Sequence, residues 1–81
     1  MKPSKKLIEL AVSMSNRYGE KAFIGTIAFG IAMQNSEKSL RDQHINAFDY
    51  LKRLLDFTDL SDHDRALIEG ELEKTEPFPE D

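Results

Sequence analysis

Twelve consecutive residues, Ala22 to Met33, carry no charge, and this run constrains the fold more than any other feature. It is too short to cross a bilayer, which needs about 20 apolar residues. It must therefore be covered by the rest of the protein or by another molecule. As a helix from about residue 20 to residue 34 it is apolar all round. Phe23, Ile24, Ile27 and Ile31 form a bulky face, and Gly25, Ala28 and Ala32 form a small-residue stripe. Ala22, Thr26, Phe29 and Met33 fill the third side. A helix apolar on every side is buried on every side. The β-branched and aromatic content also suits a strand. Helical patterns flank the segment closely, however, and no second strand is available to pair with it.

Three further segments have helical periodicity. The first runs from about Ser4 to Tyr18, with Ser4 as N-cap. It gathers Leu7, Leu10, Ala11, Met14 and Tyr18 on one face, with Ile8 beside them, and Glu9, Ser13, Asn16 and Arg17 opposite. Gly19 supplies a residue type that ends many helices. The third runs from about Leu40 to Phe57. Ser39 and Asp42 resemble a capping box at its start, and Ser36 is the alternative cap. Leu40, His44, Ala47, Phe48, Leu51, Leu54 and Leu55 share its apolar face. The fourth runs from about Asp62 to Thr75, behind the same pattern in Ser61 and Asp64. Ile68 and Leu72 share a face, Leu67 sits apart and Gly70 interrupts, so this helix is expected to be the least stable. Pro77 and Pro79 prevent its continuation. The expected fold is all-α: a compact bundle of three or four helices with a central apolar second helix and an acidic C-terminal helix. Residues 1–75 form one domain, and residues 76–81 form an acidic, proline-containing tail.

An 81-residue chain buries a modest fraction of its surface. It has no cysteine, hence no disulfide framework and no thiolate metal site. Leu, Ile, Val and Phe make up 21 of 81 residues, above the level of disordered chains. Self-association would help such a domain, and Tyr50, Phe57 and Phe78, outside the main stripes, are candidates for a homodimer surface. The charged residues Glu9 and Arg17 break what would be the apolar core of a signal peptide. A cytoplasmic location is expected.

Charge is unevenly spread. Residues 1–55 hold nine Lys/Arg against five Asp/Glu, whereas residues 56–81 hold two against ten. On the fourth helix Asp62, Glu69, Glu73 and, beyond its end, Glu76 line one side, and Asp59 extends the negative region. A dense acidic stripe can dock on a basic groove and compete with nucleic acid for it. The solvated-face alternative is that the same stripe only keeps a small protein in solution. The exposed side of the third helix offers Arg41, Gln43, Asn46 and Arg53, types that read base edges or phosphates. Asp42 and Asp49 sit among them, and the acidic third of the chain would repel phosphate.

Catalytic signatures are lacking. There is no nucleophile elbow, no phosphate-cradling glycine loop and no HExxH. His44, on the apolar face of the third helix, reads better as a core histidine bonded to a carbonyl or polar neighbour than as a general base. Asp59, Ser61, His63 and Asp64 cluster as a calcium loop would. Asp64 stands where that loop needs glycine, and Gly70 where it needs glutamate. No catalytic, metal or cofactor site is expected. In size, helical content and acidic end the chain is similar, as a class, to short accessory proteins of bacteria and phages. These include immunity proteins, inhibitors and transcription modulators. The expected function is a protein-binding regulator or inhibitor with a basic-surfaced partner. The alternative is a nucleic-acid-binding transcriptional regulator.

Overall fold

Three serines define where helices begin. A computed structural model describes residues 1–22 and 39–80, which form three α-helices and no strand. α1 spans Lys5–Ala22, α2 spans Leu40–Leu54 and α3 spans Asp62–Lys74. The Ser4 hydroxyl accepts the Leu7 N–H at 3.2 Å. Ser39 accepts that of Asp42 and Ser61 that of Asp64, both at 3.1 Å. Each bond satisfies an N–H that the helix leaves without a partner in its first turn.

The helix ends differ from expectation in two places. Helical backbone passes through Gly19 and continues to Ala22. One glycine costs about 1 kcal/mol in a helix, and the good helix formers Glu20, Lys21 and Ala22 follow it. α2 stops at Leu54, three residues early. Its last turn tightens, with Asp56 N–H bonded to Arg53 O and Phe57 N–H to Leu54 O, and Arg65 Nη1 donates to the Leu55 carbonyl at 2.9 Å. The apolar second helix expected at residues 20–34 starts within the end of α1 and otherwise lies outside the described residues, as does the alternative cap Ser36.

α1 and α2 share the largest interface, and α3 lies against both. Ser4 meets His44 near the starts of α1 and α2, and Tyr18 in the last turns of α1 meets Phe57 just past the end of α2. The two helices therefore run in the same direction. Asp64 at the start of α3 meets the end of α1, and Glu76 after α3 meets Met1, so α3 runs opposite to both. The described core consists of Leu7, Ile8, Ala11 and Met14 from α1, Ala47, Tyr50, Leu51 and Leu54 from α2, and Leu60 and Ile68 beyond. Tyr50 is only 3% exposed, and burial pushes its phenol up to about 12. Among the described residues no helix is long and apolar enough to cross a membrane.

α3 contributes one fully buried apolar residue, Ile68, and carries Gly70 near its middle. A methyl group at Gly70 would meet nothing within 4 Å among the described residues. Gly70→Ala is therefore expected to stabilise the protein by up to about 1 kcal/mol, through helix propensity and a less flexible unfolded chain. A rise in the urea midpoint would show this, and a fall would mean that α3 in solution is not helical at Gly70.

Candidate partner-binding surface

The orientation of α3 decides which of its carboxylates reach solvent. Asp64 and Ile68 are one turn apart and point the same way. Both are buried, Asp64 being 2% exposed. A buried carboxylate needs donors, and α1 provides them. Arg17 Nη1 reaches both Asp64 oxygens, at 2.7 and 2.8 Å. The Tyr18 hydroxyl donates to Oδ2, while its oxygen lies 3.5 Å from both the Ser61 hydroxyl and the Ser61 nitrogen. The Tyr18 hydroxyl holds the Asp64 carboxyl below the usual carboxylate range, helped by Arg17 and Ser61, while burial pulls the other way. The paired guanidinium is raised in turn, chiefly by its hydrogen bond to Asp64. Phe57 packs edge-on against Tyr18, with centroids 5.9 Å apart at 74°.

With Asp64 and Ile68 turned inward, helical geometry places Asp62, Glu69 and Glu73 within about 40° of one another on the outer side, along about 16 Å of axis. All three are exposed, as are Asp59 before the helix and Glu76 after it. The Glu76 carboxylate lies 3.8 Å from the Met1 ammonium. Asp59, Asp62, Glu69 and Glu73 have no ion pair among the described residues. The small residues Ala66 and Gly70 fall on one flank of the stripe, and Arg65, whose guanidinium donates to the Leu55 carbonyl, on the other.

The residues of the alternative reading differ in exposure and in partners. Arg41 is half-buried and its Nε donates to the Pro79 carbonyl at 2.9 Å. Gln43 and Asn46 are half-buried. Arg53 is exposed and pairs with Asp49 at 3.1 Å. Of the dimer candidates, Tyr50 lies in the core, Phe57 is half-buried against Tyr18, and Phe78 is 67% exposed. Of the residues that the sequence clusters before the last helix, Asp64 faces α1, whereas Asp59, Ser61 and His63 are exposed.

The periodicity of α1 puts Arg17 on its solvent side and does not express its pairing with Asp64. A signal existed: Asp64 stands one turn before Ile68, on the inner side of a helix, and a carboxylate there implies a cation opposite. His44 is fully buried. Its Nδ1 accepts the Ser4 N–H at 2.9 Å, and its Nε2 donates to the Glu76 carbonyl at 2.6 Å. It stacks on Phe48 at 6.5 Å between centroids. Both ring nitrogens are thus occupied by backbone. No protein-family model, curated protein or solved structure matches the chain.

Proposed function

We propose that the protein is a non-enzymatic regulator or inhibitor that docks on a basic surface of another protein through the outer face of α3. The observation that carries this reading is the uncompensated stripe Asp59, Asp62, Glu69 and Glu73, extended by Glu76. Like charges held in a row on one helix raise the local negative potential; Asp59, Asp62, Glu69 and Glu73 have no ion pair among the described residues, and Glu76 alone has a cation near it, the Met1 ammonium. A complementary basic groove would relieve that repulsion and speed encounter. The engagement of both His44 nitrogens and both Asp64 oxygens within the fold also favours a binding role over a catalytic one. A nucleic-acid-binding role through Arg41, Gln43, Asn46 and Arg53 has less support, because both guanidiniums are engaged within the chain.

The test is a comparison of the native chain with the triple variant Asp62→Asn, Glu69→Gln, Glu73→Gln. Quantitative affinity capture at low and raised salt should recover a protein that binds the native chain, elutes with salt and is lost from the variant. Circular dichroism should show the variant folded, since all three side chains are exposed. Undiminished capture by the variant would remove the reading. A DNA complex lost on replacing Arg41 and Arg53 would favour the nucleic-acid role instead.

A further inference from the structure

The tail after α3 is firmly held, yet it presents a bare aromatic ring. The Glu76 carbonyl is bound by His44, the Pro79 carbonyl by Arg41, and the Glu80 N–H by Met1 O at 2.7 Å. Pro79 is buried. Between these fixed points stands Phe78, with its ring 67% exposed. Pro77 and Phe78 face Ile45, Phe48 and Lys52 of α2 across an open groove of about 420 Å³. An exposed ring and an apolar groove thus occupy one place on the surface.

We propose that this groove takes the Phe78 side chain of a second copy of the chain, in a twofold dimer that sets Glu80 of each copy against Lys52 of the other. A twofold axis beside the groove makes the contact reciprocal: the patch that offers the ring is the patch that receives it. The charges fit. Asp49, at the groove, is paired with Arg53, while Lys52 is exposed with no ion pair among the described residues. The net charge free to act there is positive. Glu80, two residues past Phe78, is exposed and its carboxylate is likewise without an ion pair among the described residues. Because the tail is pinned on both sides of Phe78, little conformational freedom is lost when the ring docks. No residue of α3 itself lines the groove.

Sedimentation equilibrium of the full chain tests this. The native protein should associate reversibly to a dimer as concentration rises. Phe78→Ala should weaken the dimer at least about tenfold, because an aromatic anchor at the centre of a small interface carries much of its affinity, and should leave the melting temperature nearly unchanged. Lys52→Glu and Glu80→Lys should each weaken association, and the two together should restore it. Carbodiimide cross-linking of mixed isotopically light and heavy chains should join Lys52 of one copy to Glu80 of another. A native chain that stays monomeric, or a dimer indifferent to Phe78→Ala, overturns the proposal. So does a monomer whose groove binds a free aromatic peptide, which would make the occupant a different protein.

Discussion

His44→Ala is expected to lower stability by about 3 kcal/mol and to release residues 76–80 from α2. The Ser4 N–H can only donate and the Glu76 carbonyl can only accept. Their positions therefore require a neutral imidazole with its proton on Nε2. That one ring ties the start of α1 to the end of α3 through α2. Alanine removes both bonds and leaves a cavity against Phe48. His44→Phe separates the two effects: it refills the volume but orphans the same backbone groups, so it should recover part of the loss and no more. Urea denaturation would give the stabilities. Amide exchange at Glu80, whose N–H is bonded to Met1 O, would report the tail. A native midpoint together with native exchange at Glu80 would refute this role for His44.

The second large effect depends on pH. The folded Asp64 carboxyl is held below its ordinary value, by the Tyr18 hydroxyl first and by Arg17 and Ser61 next. A carboxylate depressed in the fold contributes stability above its unfolded value of about 3.9 and loses it as pH falls through the lower folded value. The native protein should therefore weaken steeply below about pH 4. Asp64→Asn should be less stable at neutral pH, by about 2 kcal/mol, and its acid limb should be shallower. Arg17 is half in water, so added salt should trim its share of this difference, whereas loss of the Tyr18 hydroxyl should remove the larger share. Urea midpoints from pH 2 to 7 decide the matter: parallel acid limbs for the two proteins would show that another carboxylate carries the acid sensitivity.

Local rules made part of this fold legible. Ser39 and Ser61 cap α2 and α3 because a hydroxyl three residues before a free N–H is a short-range geometry that sequence expresses directly. The apolar stripes of α1 and α2 follow from a single period. Contacts between elements were less visible. Asp64 looked like an ordinary first-turn acid suited to the helix dipole, because its partners Arg17 and Tyr18 are more than forty residues away. Tyr50 lies outside the apolar stripe of α2, yet it is buried, because the neighbours that cover a helix flank are chosen by tertiary packing. Gly19 read as a stop, but one unfavourable residue does not end a helix when good formers follow it. The acidic side of α3 was apparent from charge count and spacing. What turns it outward, the Asp64 bond to α1, was not.

The hydrogen bond from Glu80 N–H to Met1 O also bears on the topology of the chain. Residues 1 and 80 are neighbours in space, so the end of the described tail lies beside the stretch that leads into α1. A linker of a few residues between these two positions would leave the helices undisturbed, and the order of elements would then have no natural first member. A chain opened instead at the exposed turn at Thr58 and Asp59 should make the same contacts. By this measure the arrangement of α1, α2 and α3 is a property of their contacts, and the order in which they are joined is secondary to it.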